Sequence, residues 1–273
     1  MNAQSDFLLF TGSANPPLGA VVAGLMKARL GNYTADDQGH VHLHQNVRNK
    51  DVFILQPAPP PVNDHLVELL AIATAATRGR ACRVVAVIPY FGYTRSEQGS
   101  AVTRILRSCG IDQVISLDPH LMEETLATAI RGKVPAESIV VSAHEKAVRL
   151  AECFGEILDL PVVELHRHHA SADVADRPIL LVDDLIATGR TMVHSIETLI
   201  GAGARFDFTI AATHGVLLRE SREKLNLPII RQIVVTDSVI PQEIWPRIHT
   251  VSVAPLIVSA INHAAKLRPC AAA

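Results

Sequence analysis

The sequence predicts an α/β fold built from two similar arrays of strands and helices, each centred on a mainly parallel sheet with helices on both faces. Short runs rich in Val, Ile and Leu alternate with longer stretches of helical periodicity. The short runs are apolar almost throughout, which is typical of parallel strands covered on both sides. A turn-rich interval, GKVPAESI at 132–139, separates the arrays, so we place one domain at 1–138 and the other at 139–251.

The predicted strands are short, β-branched runs bounded by turn-forming residues. In chain order they are DFLLFTG, DVFILQ, RVVAVIPY, QVISLD, SIVVSA, PVVEL, PILLVDD, FDFTIAATH, IRQIVVTD and TVSVAP.

The predicted helices repeat apolar residues every three or four positions. The second follows a rigid proline-rich loop at 57–61, and Asn63 or Asp64 provides its N-cap. In chain order the helices are VVAGLMKARL, NDHLVELLAIATAATRG, AVTRILRSCG, HEKAVRLAECFGEIL, RTMVHSIETLIGAG, SREKLNL and LIVSAINHAAKL.

Composition favours small-molecule chemistry in a soluble protein. The 273 residues are 48% hydrophobic, which is enough to fill a core, and the formal net charge is −2. Such a balance provides no basic surface for nucleic acid or for an anionic membrane. No run of 18 apolar residues occurs, the N-terminus lacks the features of a secretory leader, and the four cysteines show neither CxxC spacing nor a disulfide framework. We therefore expect a cytoplasmic protein.

The stretch PILLVDDLIATGRTM, at 178–192, carries the main functional signal. Its apolar run predicts a buried strand, and the helix that follows begins near Thr191. The intervening loop then lies at the carboxyl end of a parallel strand, where open α/β sheets bind ligands. Asp183 and Asp184 suit ribose hydroxyls or a hydrated Mg²⁺. Backbone N–H groups, two hydroxyls and a helix N-terminus suit a phosphate, and the loop residues that present them are Ala187, Thr188, Gly189, Arg190 and Thr191.

The alternative interpretation is that the two acids only cap a helix and Gly189 only makes a turn. Against it, the order of an apolar strand followed by VDDLIATGRT resembles the ribose-5-phosphate-binding signature of the type I phosphoribosyltransferase fold. Enzymes that make phosphoribosyl pyrophosphate and enzymes that use it both carry this signature, so it identifies the fold and leaves the reaction open.

Further motifs resemble the ribose-phosphate diphosphokinase family from about Phe7 to Ala265. They are TGSANPPLG, NVRNKDVFILQ, PVNDHLVELL, VVAVIPYFGYTR, SLDPH, THGV, VVTDSV and VSVAPLIVSAI. The resemblance implies two domains of phosphoribosyltransferase type, with 252–266 packing back on the first. It also implies transfer of a diphosphoryl group from Mg·ATP to ribose 5-phosphate. The implied assembly is a homo-oligomer built from dimers, with a hexamer as one candidate.

The resemblance assigns roles to individual residues. Asp183 and Asp184 would hold the ribose hydroxyls, while 187–191 would cradle the 5-phosphate. His120, in SLDPH, matches a metal-binding histidine, and Arg95, in FGYTR, matches an arginine that grips the ATP phosphates.

The adenine side follows the family less closely. Asp36 falls in a loop that would receive adenine from a neighbouring subunit. Gln38 and Ser96 occupy ATP-side positions at which the family has other residues, and Thr34 removes an aromatic ring that would stack on the base.

The catalytic positions also depart from the family pattern. His166 stands where the catalytic loop carries lysine, although Arg167 is retained, and an imidazole is a weaker electrostatic clamp near pH 7. The HRHH cluster at 166–169, if protonated, would replace the lost charge. His144 stands where an aspartate is expected after VVS and is a candidate metal ligand.

A second histidine cluster, HVHLH at 40–44, has two interpretations. On a strand its three imidazoles share one face, which suggests a metal site, but three polar residues facing solvent or a subunit contact are the more ordinary arrangement.

Three functions remain open. The first is a diverged ribose-phosphate diphosphokinase that uses His166, Arg167 and Mg²⁺. The second is a catalytically impaired homologue that binds ribose phosphate or nucleotide and regulates an active partner. The third is a sugar-phosphate enzyme with a different donor.

Overall fold

A computed structural model describes residues 7–93, 99–165 and 174–267. The chain divides into two compact units. The first contains the residues up to Leu117 together with the segment from Ala254 onward, and the second is Asp118–Val253. Both units contain parallel sheets with helices, so the prediction of an α/β fold is confirmed.

The first unit contains a four-stranded parallel sheet in the order β1-β4-β5-β6 and an antiparallel hairpin, β2-β3. Its strands and helices are β1 (Phe7–Thr11), α1 (Pro16–Leu25), β2 (Tyr33–Ala35), β3 (Val41–Leu43), β4 (Asp51–Leu55), α2 (Val62–Arg78), β5 (Arg83–Val87), α3 (Gly99–Ser108), β6 (Gln113–Ile115) and α8 (Ala254–Leu267). The strands β4 and β5 are buried throughout, as their apolar sequences predict.

The last helix, α8, packs against α1 and completes the first unit. Arg83 on β5 connects α8 to the sheet. Its guanidinium donates to Asp51 Oδ2 at 2.5 Å and to the carbonyl of Ala264 at 3.1 Å, and it lies 5.8 Å from the centroid of the Phe53 ring. Because Arg83 and Asp51 are both buried, removing either would leave an uncompensated charge in the core.

The second unit contains a six-stranded parallel sheet in the order β12-β11-β10-β9-β7-β8. Its strands and α-helices are α4 (Pro119–Ile130), β7 (Ile139–Ser142), α5 (Val148–Leu158), β8 (Val162–Glu164), β9 (Ile179–Ile186), α6 (Arg190–Gly201), β10 (Phe208–Gly215), α7 (Arg219–Leu225), β11 (Ile230–Thr236) and β12 (Ile248–Val251). The strand β9 lies inside this sheet, between β7 and β10.

The helix α4 was not among the predicted elements, and it explains where the units divide. Asp118 is its N-cap, because the carboxylate accepts from the His120 N–H at 2.9 Å, and Pro119 occupies the first turn. The buried side chains of α4 pack against α5 and the second sheet. The division therefore falls at Leu117, whereas the turn signals had suggested 138.

Two further observations concern the cysteines and the membrane. Cys109 and Cys153 are free thiols. Along the described part of the chain, no helix combines the length and apolar character that crossing a bilayer requires.

Candidate functional site

The candidate site begins at the carboxyl end of β9. Ile179–Val182 are fully buried, and parallel pairing places Asp183 beside Ala212 of β10. The two acids therefore occupy the sheet edge at which open α/β sheets bind ligands. The apolar run and the helical periodicity that follows it predict this position.

Asp183 is almost fully buried, with 2% of its surface exposed. Its Oδ1 lies 2.9 Å from His144 Nε2 and accepts from the Asp184 N–H at 2.8 Å. The Lys146 N–H donates to His144 Nδ1 at 3.1 Å, which leaves Nε2 as the nitrogen that donates to Asp183. Burial raises the pKa of the Asp183 carboxyl above its ordinary value, although the bond from His144 acts in the opposite direction.

Neighbouring strands fix the backbone of Asp184. Thr213 on β10 donates its hydroxyl to the Asp184 carbonyl at 2.7 Å, and Thr236 on β11 donates to the Thr213 carbonyl at 2.5 Å. The half-buried carboxylate of Asp184 lies in a cluster with Asp183 and His144 in which one ligand atom from each residue is within 4.8 Å of the others. The acids thus sit on a rigid, hydrogen-bonded part of the sheet.

The loop after β9 turns sharply into α6 at Gly189. This residue has φ of 77°, in the left-handed region that favours glycine, and it is the N-cap of α6 without a side-chain capping bond. A Cβ here would lie 2.9 Å from Leu225 Cγ. The first N–H groups of a helix have no intrahelical acceptor, so this uncapped N-terminus can receive an anion.

Backbone contacts anchor the remaining loop residues. Leu218 donates its N–H to the Ala187 carbonyl at 2.9 Å, and the Arg190 N–H lies 3.4 Å from the Thr188 hydroxyl oxygen. Thr191 is exposed in the first turn of α6. The structure therefore brings the five predicted loop residues together next to the acid pair.

One cation beside this loop, Lys224, carries no signal in the local sequence. Lys224 on α7 places Nζ 3.4 Å from the Thr188 carbonyl and 3.7 Å from Glu220 Oε1. Its helix follows a different strand, so no local motif connected it with the loop. Lys224 can add positive charge where a phosphate would bind.

The two histidines predicted as metal ligands lie in different clusters. His144 faces the acid pair, whereas His120 groups with Glu123 and Cys153. Within the described residues, the imidazoles of His40, His42 and His44 form no such cluster, and all three side chains are exposed.

The predicted ATP-side residues Asp36 and Gln38 lie in the turn of the β2-β3 hairpin. The Asp36 carboxylate accepts from the N–H groups of Gln38 at 2.9 Å and His40 at 2.8 Å, and it lies 2.9 Å from His40 Nδ1. The backbone bond from His40 is the largest cause that lowers the pKa of Asp36. The remaining predicted residues lie outside the described ranges, namely Arg95, Ser96, His166 and Arg167.

The fold and the acid-and-glycine loop define the class of protein, an α/β protein with two phosphoribosyltransferase-type domains. Residues 7–108 match the family described as the N-terminal domain of ribose phosphate pyrophosphokinase, and 161–267 match the phosphoribosyl synthetase-associated domain.

Relatives extend these matches over nearly the whole chain. Ribose-phosphate pyrophosphokinase A of Dictyostelium discoideum is 30% identical over 93% of this chain and 93% of its own length. A ribose-phosphate pyrophosphokinase of Haemophilus ducreyi is 32% identical over 86% and 87%. The crystal structure of phosphoribosylpyrophosphate synthetase from Mycobacterium smegmatis superposes with a TM-score of 0.83 at 27% identity, covering 96% of this chain and 99% of that one. The chain belongs to the ribose-phosphate pyrophosphokinase family.

Proposed function

We propose that this chain transfers the diphosphoryl group of Mg·ATP to ribose 5-phosphate, giving phosphoribosyl pyrophosphate and AMP. The observation that carries the proposal is the carboxyl end of β9 with the loop that follows it, where Asp183 and Asp184 adjoin the uncapped N-terminus of α6. Family membership supports the same reaction, since the matched relatives are ribose-phosphate pyrophosphokinases.

The two halves of the loop would bind two halves of one substrate. The N–H groups of 187–191 and the Lys224 ammonium would bind the 5-phosphate. Asp183 and Asp184 would accept hydrogen bonds from the ribose hydroxyls. Held in this way, the anomeric hydroxyl attacks the β-phosphorus of ATP, the bond between that phosphorus and the α-phosphate oxygen breaks, and AMP leaves. Positioning is the main contribution that a protein makes to such a transfer.

The acid pair also fits the magnesium ion that accompanies ATP. Mg²⁺ is commonly held by one or two carboxylates together with substrate phosphates, and Asp183 and Asp184 supply such oxygens. When bound, the ion would neutralise charge on the transferred phosphates. Imidazole is a less suitable ligand for Mg²⁺, and His144 Nε2 contacts Asp183. We therefore assign His144 the role of orienting Asp183.

One observation favours a second candidate function, a homologue that binds sugar phosphate and regulates an active partner. His144 stands at a position where the family resemblance leads us to expect an aspartate, and both of its ring nitrogens make hydrogen bonds within the protein. A chain with this change would keep the sugar-phosphate loop while losing an oxygen ligand near the transferred phosphates.

The two functions separate in one assay. Purified protein is incubated with Mg·ATP and ribose 5-phosphate, and AMP and phosphoribosyl pyrophosphate are quantified. We expect turnover that is lost in His166→Ala and retained in the matched control His42→Ala. Absence of turnover across a pH series, with measurable binding of ribose 5-phosphate, would reject the diphosphokinase and support the regulatory homologue.

A further inference from the structure

The carboxylate of Glu68, on α2, accepts hydrogen bonds from three different segments of the first unit. Its Oε1 accepts from the Tyr33 hydroxyl at 2.6 Å, and its Oε2 accepts from the Gln56 side-chain amide at 2.6 Å. Ser13 donates to the same carboxylate through its hydroxyl at 2.6 Å and through its N–H at 3.1 Å. Tyr33 lies on β2, Gln56 follows β4, and Ser13 lies between β1 and α1. One side chain therefore connects the hairpin, a strand end and a loop.

We propose that Glu68 is a positioning residue that anchors the β2-β3 hairpin to the loop between β1 and α1, and so sets the position of the turn at Asp36. The proposal rests on the proposed function, because this position matters for the reaction only if the hairpin binds the adenine of ATP. Tyr33 is the first residue of β2 and Asp36 directly follows the strand, so a displacement of Tyr33 also moves the turn.

The four donor groups account for the acceptor capacity of the carboxylate. A carboxylate offers about four lone-pair sites, and Glu68 accepts from two hydroxyls, one side-chain amide and one backbone N–H. Hydrogen bonds to an ionised acceptor are stronger than those between neutral groups, so the Tyr33 hydroxyl makes a strong connection. Burial is the largest cause that raises the pKa of Tyr33, and Glu68 adds to the shift. The hydroxyl therefore stays protonated and donates at neutral pH.

The loop side of this connection is held by the buried side chain of Gln56. Its Oε1 accepts from the Ala14 N–H at 3.3 Å, and its Nε2 also donates to the His65 carbonyl at 3.2 Å. A Cβ at Gly12 would lie 2.2 Å from Gln56 Oε1, so glycine at this position permits the close approach. The loop and the strand end thus form a fixed base to which Glu68 connects the hairpin.

The hairpin needs such a connection because its strands are only three residues long. An isolated two-stranded hairpin is at best marginally stable in water. Val41 and Leu43 pack β3 against the core, but apolar packing is not directional. The hydrogen bonds of Asp36 fix the internal geometry of the turn. The bond from Tyr33 to Glu68 fixes where β2 lies on the first unit.

Hydrogen exchange tests the anchor independently of catalysis. Tyr33→Phe removes the hydroxyl and keeps the ring. We expect the hairpin amides of Asp36 and His44 to exchange at least about threefold faster in this variant, while the amides of β4 keep their rates. Ser108→Ala removes another hydroxyl of the same unit and should leave the hairpin unchanged. Unchanged hairpin exchange in Tyr33→Phe, or an equal acceleration in β4, would overturn the proposal.

Steady-state kinetics tests the consequence for the nucleotide. We expect Tyr33→Phe to raise the KM for Mg·ATP about threefold to tenfold, with kcat and the KM for ribose 5-phosphate changing less than about twofold. A purely structural loss would reduce the active fraction and lower kcat alone. That result, or an equal rise in both KM values, would overturn the positioning role. An unmodified chain without turnover would contradict the proposed function, and the exchange rates would still decide whether Glu68 anchors the hairpin.

A double-mutant cycle tests whether the connection passes through Glu68. Glu68→Ala removes the carboxylate, so the Tyr33 hydroxyl then has no acceptor there. We expect the hairpin amides of the double variant, Glu68→Ala with Tyr33→Phe, to exchange no faster than those of Glu68→Ala alone. Glu68→Gln, which keeps the shape of the side chain, takes its place if Glu68→Ala unfolds. Accelerations that multiply in the double variant would show that the two residues act independently and would overturn the role of Glu68.

Discussion

The segment 183–191, predicted to bind sugar phosphate and called the sugar-phosphate loop below, and the β2-β3 hairpin are the two predicted substrate regions, and they are built in opposite ways. The loop extends from an interior strand of a six-stranded sheet, and its first acid, Asp183, is 2% exposed. The hairpin has two strands of three residues each, and its turn residues Asp36 and Gln38 are exposed. Core packing therefore fixes the geometry of the loop, whereas local hydrogen bonds alone fix that of the turn.

The largest expected effect comes from breaking the loop at Gly189. We expect Gly189→Val to lower the free energy of unfolding by about 2–4 kcal/mol, because it adds left-handed strain to a clash with Leu225. Ribose 5-phosphate binding should be lost with it. Chemical denaturation measures the free energy of unfolding, and titration calorimetry measures ribose 5-phosphate binding. Gly201→Ala is the control, since nothing lies within 4 Å of a Cβ there, and equal destabilisation by the two would contradict the explanation.

Asp183→Asn separates binding from stability. We expect ribose 5-phosphate affinity to fall about ten- to hundredfold, since a charged acceptor of hydroxyl groups is lost. Titration calorimetry of the variant and the unmodified chain checks this. An affinity unchanged by the substitution would show that the acid pair does not contact the sugar.

The same variant should be more stable than the unmodified chain, and the difference should depend on pH. Because burial raises the pKa of Asp183, the folded state binds the carboxyl proton more tightly than the unfolded state does. The stability gained in this way is fully present below the unfolded pKa of about 3.9 and is lost as pH rises through the folded pKa. Asparagine carries no such charge. We expect similar stabilities at pH 3.5 and an advantage for the variant near pH 7.5. Denaturation series at both values measure it, and an advantage that shrinks as pH rises would contradict the sign.

Lys224→Gln tests the cation that no local motif indicated. We expect ribose 5-phosphate affinity to fall about threefold to tenfold, with a smaller loss at high salt, because the side chain is partly exposed. Binding of unphosphorylated ribose should not change. Lys133→Gln, which alters an exposed lysine elsewhere in the same unit, is the control. An equal loss of affinity in this variant would show that the effect of Lys224→Gln comes from the overall charge of the protein and not from a contact with the phosphate.

The smallest effect is expected in the hairpin. Asp36→Ala removes the acceptor of the turn N–H groups at an exposed position in the first unit, so ribose 5-phosphate affinity should change less than about twofold. Titration calorimetry of Asp36→Ala and Asp183→Asn under the same conditions compares the ribose 5-phosphate affinities of the two variants directly. A large loss of sugar-phosphate binding would mean that the two regions are not independent.

The same contrast explains how much the sequence could predict. The strand β9 and the loop at Gly189 were predictable, because a buried apolar run, two acids and a glycine each have a strong physical reason to occur in that order. The α/β class followed from the same kind of run elsewhere.

Other features depended on contacts between distant residues. The bond from His144 to Asp183 joins β9 to the segment after β7, and Lys224 reaches Thr188 from another helix, so no local pattern specified either. The helix α4 was not predicted, although Asp118 and Pro119 are ordinary start signals.

The Arg83 contacts imply an order of events during synthesis. The helix α8 belongs to the same compact unit as β1, so the second unit, Asp118–Val253, is inserted within the sequence of the first. During synthesis the whole of the second unit would leave the ribosome before α8 does. The first unit would therefore complete its folding only after α8 has been made, although its first strand is made earlier. Deleting residues from α8 should therefore destabilise the first unit, which contains the earliest strands of the chain.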